Sequence, residues 1–86
     1  MTNNWSPCIA PGMRLQFEAV QDTWVLLYPE GMVKLNPSAS AILQRCNGKL
    51  TVAAIVADLE VAFNATGIAP EVNNLLNEGV RRGWIV

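Results

Sequence analysis

Very little in this chain could do covalent chemistry. It has no histidine, so the side chain that most often acts as general base or metal ligand near neutral pH is missing. Its two cysteines, Cys8 and Cys46, lie far apart and form neither a CxxC pair nor a metal-ligand spacing. No nucleophile stands beside a candidate base, so an enzyme is disfavoured and no catalytic residue, cofactor or metal is expected. What remains is the chemistry of recognition. Met32, Val33, Lys34 and Leu35 form a short strand whose backbone N–H and C=O groups could stay unpaired at a sheet edge. Val72, Leu75, Leu76 and Gly79 belong to a later stretch whose apolar residues could meet a partner. The cationic heads of Lys34, Arg81 and Arg82 could meet acidic side chains of a ligand.

These residues need elements to hold them. Residues 13–20 alternate, with Met13, Leu15, Phe17 and Ala19 on one side and Arg14, Gln16 and Glu18 on the other, which predicts a half-buried strand. Residues 23–28 are aromatic and aliphatic throughout, as in a strand buried on both faces. Tyr28-Pro29-Glu30-Gly31 fits a tight turn, with proline at the second position and glycine at the fourth. The chain then returns over residues 32–35, which completes an antiparallel meander. In the third strand Val33 and Leu35 share one face and Met32 and Lys34 the other; the pattern leaves open which face is inward.

After the meander the period changes from two to 3.6. Asn36 followed by Pro37 predicts a helix start. Ala39, Ile42, Leu43 and Cys46 lie along one helical face, and Asn47-Gly48 predicts the stop. Thr51 predicts the cap of a second helix with the apolar face Val52, Ile55, Val56, Leu59 and Phe63. A third helix from Pro70 carries Val72, Leu75, Leu76 and Val80 and stops at Gly83. Trp84-Ile85-Val86 is expected to pack back as a tail or short strand. Residues 1–10, with Pro7, are read as a flexible arm, and residues 11–86 as one domain. The fold class is α+β and winged-helix-like: a three-stranded antiparallel sheet followed by three helices, with the wing ahead of the helices.

Composition agrees with one small domain. The chain has 86 residues, 51% hydrophobic and 15% charged, too apolar for a disordered segment. No run approaches the length of a membrane span and no signal peptide is recognisable, so a cytoplasmic protein without membrane contact is expected. A net charge of −1 argues against a nucleic-acid partner. A winged-helix nucleic-acid binder stays the alternative reading, although Arg81 and Arg82 are the only basic residues of its third helix.

The run Leu27-Tyr28-Pro29-Glu30-Gly31-Met32-Val33-Lys34-Leu35-Asn36 resembles the signature of the PqqD family of pyrroloquinoline quinone (PQQ) biosynthesis. So do Ala41-Ile42-Leu43 with Cys46-Asn47-Gly48, Thr51-Val52 with Ile55 and Leu59, and the Arg82-Gly83 end of the last helix. The chain departs from the pattern at Asn47 and at Glu71-Val72, where the family usually shows Asp and Asp-Val; both changes keep a polar capping character. The resemblance implies a non-catalytic peptide chaperone, a recognition element for ribosomally made precursor peptides. It would bind the precursor peptide PqqA and present it to the radical SAM enzyme PqqE. It implies that the peptide adds as a strand beside the third strand and against the third helix. The expected peptide-binding residues are Met32, Val33, Lys34, Leu35, Val72, Leu75, Leu76, Gly79 and Arg82. A free edge and a loose arm also allow strand exchange, so monomer and homodimer are both open.

The same residues have plainer readings. Apolar helix faces such as Val72, Leu75 and Leu76 more often belong to a core than to a groove. Lys34 suits an edge strand as a guard against aggregation. Arg81 and Arg82 suit the negative end of a helix dipole. Gly79 costs about 1 kcal/mol in a helix interior, so it needs a reason, and close approach of another backbone is one. Trp24 and Tyr28 are read as core, and Trp84 as a candidate exposed surface.

Overall fold

The structure, a computed structural model, describes residues 5–86. Strands β1 (Arg14–Glu18), β2 (Thr23–Tyr28) and β3 (Gly31–Leu35) form one antiparallel sheet in the order β1-β2-β3. Helices α1 (Pro37–Leu43), α2 (Val52–Ala62) and α3 (Ala69–Arg82) follow. Among the described residues, no helix is long and apolar enough to cross a membrane.

The local signals act as their chemistry dictates. The β1–β2 turn places Asp22 at φ 52°, a conformation Asp tolerates better than most residues. The Asn36 side chain accepts the Ala39 N–H at 2.7 Å, and Pro37 occupies the first turn of α1, where its missing N–H is harmless. The Thr51 hydroxyl accepts the Ala54 N–H at 3.2 Å and caps α2 in the same way. Helix α1 stops earlier than its apolar spacing suggests. Arg45 and Cys46 donate to Ile42 and Leu43, a tightened turn that puts Cys46 past the helix end. Asn47 then accepts the Lys49 N–H at 2.8 Å, the local turn its side chain favours. At the end of α3, Gly83 lies at φ 81°, and the N–H groups of Gly83 and Trp84 close back onto Val80 and Gly79.

One core joins both halves. Leu26 and Leu35 from the sheet meet Ile42 and Leu43 of α1, Ile55 and Leu59 of α2, and Val72 and Leu76 of α3. Full burial of each such side chain is worth roughly 1.5–3 kcal/mol. Val25 is also buried but points to the other side of the sheet, where its row neighbours are Gln16 and Lys34. Trp24 and Tyr28 keep part of their surface in solvent.

Residues 7–10 are not a loose arm. The segment lies between two others and pairs with both. Cys8 exchanges hydrogen bonds with Val86, at 3.1 and 2.9 Å, and Ala10 N–H reaches Trp84 O at 2.8 Å. On the other side, Gly48 N–H donates to Pro7 O and Ile9 N–H to Cys46 O. Pro7 and Ala10 are buried, and the Trp5 indole donates to Val86 O. The rest of the expected arm, residues 1–4, lies outside the described residues. The same pairing buries Trp84 and Ile85, so Trp84 is no exposed recognition surface.

Candidate peptide-binding edge

Among the described residues, strand β3 is an outer strand, paired only with β2. The register says which of its backbone groups are spent. The hairpin closes on Tyr28↔Gly31 with Pro29 and Glu30 between. A two-residue connection makes this closing pair hydrogen-bonded, and antiparallel pairs then alternate. Leu26↔Val33 and Trp24↔Leu35 are therefore hydrogen-bonded pairs, whereas Leu27↔Met32 and Val25↔Lys34 are not. The N–H and C=O of Met32 and Lys34 thus point away from β2, along the outer edge. Among the described residues, no other backbone group pairs with them. Val33 and Leu35 have both backbone groups committed to β2.

Side chains divide the other way. Val33 and Leu35 face the core; Val33 is half-buried and Leu35 is 6% exposed. Met32 and Lys34 face outward, with Met32 49% exposed. An extended chain laid along this edge would meet four backbone groups from these two residues, a methionine thioether and one ammonium head.

The expected contribution of α3 is smaller than the sequence suggests. Val72 and Leu76 are each 1% exposed and sit in the core with Leu35. Leu75 is half-buried against the same cluster. Gly79 does not receive a peptide backbone. It is buried under Ile85, and a Cβ there would lie 2.6 Å from Ile85 Cδ1. The space was reserved for the chain's own tail.

Arg82 is roughly 15 Å along the helix from Val72, ten residues at 1.5 Å each. Its guanidinium lies 5.4 Å from the Trp84 ring centroid and bonds Glu78. Arg81 bonds the same carboxylate. These two bonds hold the Glu78 carboxyl down to about 2. The C-terminal turn of α3 is therefore partly charge-compensated by Glu78 and keeps one net positive charge, which complements the helix dipole. Of the strand residues only Leu35 shares the buried core with Val72 and Leu76, with Val33 packed at its margin, whereas Met32 and Lys34 stay outside it; Gly79 and Arg82 lie at the far end of α3, against the tail.

The thiols offer no reaction centre. Both cysteines are free, and Cys46 is buried, donating its S–H to Ile42 O at 3.4 Å. Burial, and secondarily the nearby Cys8, push the Cys46 thiol up to about 11. Among the described residues no group of three His, Cys, Asp or Glu side chains is placed to hold a metal ion.

Sequence reasoning missed Phe63. It was expected on the buried face of α2, but the helix ends at Ala62, and Phe63 leaves it 63% exposed, followed by Asn64 at φ 50°. It borders an apolar cavity of about 230 Å³ between the start of α1, the end of α2 and the start of α3. The available signal was Asn64 just after Phe63, a residue that tolerates the left-handed conformation and so marks a helix end rather than a continuing face.

Comparison with known proteins agrees with this architecture. The family model described as Coenzyme PQQ synthesis protein D (PqqD) matches residues 23–85. A protein of Kluyvera intermedia named PqqA binding protein is 46% identical over 86 residues, covering 99% of this chain and 94% of its own. One of the same name from Methylococcus capsulatus is 43% identical over 77 residues, covering 90% and 83%. The solution structure of the PqqD truncation of Methylobacterium extorquens PqqCD, described as a functional, stand-alone recognition element for ribosomally made, modified peptides, superposes with a TM-score of 0.76. It shares 26% identity and covers 100% of this chain and 94% of its own. The crystal structure of PqqD from Xanthomonas campestris gives 0.57 at 31% identity, covering 95% and 93%. The three-stranded sheet followed by three helices is thus shared architecture, and the chain belongs to the PqqD family.

Proposed function

We propose that this chain is a non-catalytic adaptor of PQQ biosynthesis that binds the precursor peptide PqqA by strand addition to β3 and presents it to the radical SAM enzyme PqqE. The observation that carries the binding mode is the pair of unspent backbone positions, Met32 and Lys34, on an outer strand. Main-chain hydrogen bonds to such an edge supply affinity, and contacts to alternate side chains supply selectivity. The partner is supported by relatives that are named for binding PqqA and are more than 40% identical over most of the chain. The hand-over to PqqE is supported by family membership. Two free thiols suit a reducing cytoplasm.

The test is a titration of isotope-labelled protein with synthetic PqqA, followed by NMR. Strand addition at β3 moves the Met32 and Lys34 amides first, and saturably. Shifts confined to the other outer strand, at Leu15 and Phe17, would place the peptide on the wrong edge. Absence of any shift would remove the partner.

A further inference from the structure

We infer that the cavity beside Phe63 is an anchor pocket for one large apolar side chain of the bound peptide, placed just beyond the residues that pair with β3. This rests on the strand-addition reading above and adds the chemistry of a second contact. The cavity holds about 230 Å³ and is lined by Pro37 and Ser38 of α1, Leu59 and Phe63 at the end of α2, and Ile68 and Val72 at the start of α3. That volume suits one branched aliphatic or aromatic side chain and is too small for a cofactor-sized ligand.

Its position relative to β3 identifies the occupant. Pro37 and Ser38 follow Leu35, the last residue of β3, by two and three positions. An added strand advances roughly 3.3 Å per residue. A peptide paired with Met32 and Lys34 therefore stands level with the start of α1 within a few residues of leaving the strand. Side chains alternate, so those on the same face as Val33 and Leu35 are directed to the core side of the sheet, the side on which α1, one wall of the cavity, packs.

The surroundings call for an apolar guest. Phe63, a large apolar side chain at the cavity's border, is 63% exposed. The charged side chains of α2 are already engaged: Asp58 with Arg45, and Glu60 with the Gly67 N–H. Among the described residues the one charge at the cavity is Glu71, which is exposed and disfavours an acidic residue beside the anchor. The expected ligand is thus an extended segment with a Leu, Ile, Phe or Tyr side chain flanked by neutral or basic residues.

The experiment uses the full chain and synthetic PqqA, following the Ile42 and Ile68 methyls alongside the Met32 and Lys34 amides. Both sets shift together if the anchor is seated. Phe63→Ala, at an exposed position, weakens binding at least fivefold and leaves the saturated shifts at Met32 and Lys34 in place. Ala65→Trp, which fills the cavity from the loop side, does the same, with thermal melting as the check on folding. Unmoved Ile42 and Ile68 methyls at saturation, with Met32 and Lys34 shifted, would overturn the anchor and leave the edge reading standing. So would unchanged affinity in Phe63→Ala. Unmoved amides at Met32 and Lys34 would overturn the edge reading itself, and the anchor with it.

Discussion

Ile85 occupies the space that a side chain at position 79 would need: a Cβ on Gly79 would come within 2.6 Å of Ile85 Cδ1 and 3.0 Å of its Cγ1. The helix accepts its glycine so that the tail can lie flat against it, and the tail in turn pairs with residues 8–10. Gly79 thus serves the closure of the chain's two ends.

Substitution at this point tests that role. Gly79→Ala would gain about 1 kcal/mol of helix propensity, but overpacking against Ile85 should cost about 1–3 kcal/mol. A net loss is expected in urea unfolding. With Ile85→Ala in the background the same change becomes neutral or stabilising, giving a coupling of roughly 1–3 kcal/mol in a double-mutant cycle. Additive effects would show that the two residues do not share this space.

Proline substitutions separate ladder from edge. Val33→Pro removes a ladder hydrogen bond and leaves the Leu26 carbonyl unpaired, which should destabilise the fold by roughly 1–3 kcal/mol. Lys34→Pro removes an outward N–H, which an edge strand tolerates. It should leave the melting temperature within a few degrees and weaken peptide binding several-fold more than Lys34→Gln, the control for charge. Equal stability of the two proline variants would mean that the register is wrong.

The Glu78 carboxyl should titrate near 2 because Arg81 and Arg82 both donate to it. A lowered folded-state value stabilises the fold above the ordinary carboxylate range, about 4.5, and the benefit disappears as pH falls towards 2. Both ion pairs are exposed, so salt should diminish the effect. Carbon-detected NMR titration of the Glu78 carboxyl gives the midpoint. Arg81→Gln combined with Arg82→Gln should return it to the ordinary range.

Cys46 should be chemically silent in the folded protein. Burial holds its thiol protonated up to about 11, so a thiol reagent at pH 8 should modify it only through unfolding. Because the folded-state value is raised, stability is unaffected below about 9 and is lost between about 9 and 11, as the unfolded thiol ionises and the folded one does not. Labelling of Cys46 at the rate of a free thiol without denaturant would contradict the packing.

Much of the fold was legible because its signals are local. Pro29 and Gly31 mark the hairpin, Asn36 and Thr51 mark helix starts, and Gly83 marks a stop, each through the conformation of its own few residues. The alternation in residues 32–35 also separated two faces correctly. What could not be read depends on distant partners. Residues 8–10 pair with residues 84–86, about the whole chain away, and leave no periodicity to detect. Gly79 looked like a place for a ligand because a glycine vacancy does not say who fills it. Val72 and Leu76 were open to both a groove and the commoner core reading, because an apolar helix stripe reads the same against a core or a peptide; the structure puts both in the core. Which β3 amides are free depends on the pairing parity, fixed only by the Tyr28↔Gly31 closure.

The most direct measurement is amide hydrogen exchange with and without saturating PqqA peptide. Strand addition at β3 requires the Met32 and Lys34 amides, exposed at the edge, to slow by an order of magnitude or more, while Val33, already bonded to β2, changes far less. Unaltered exchange at Met32 and Lys34 in the peptide-bound protein, or protection at Leu15 and Phe17 instead, would contradict recognition at the β3 edge.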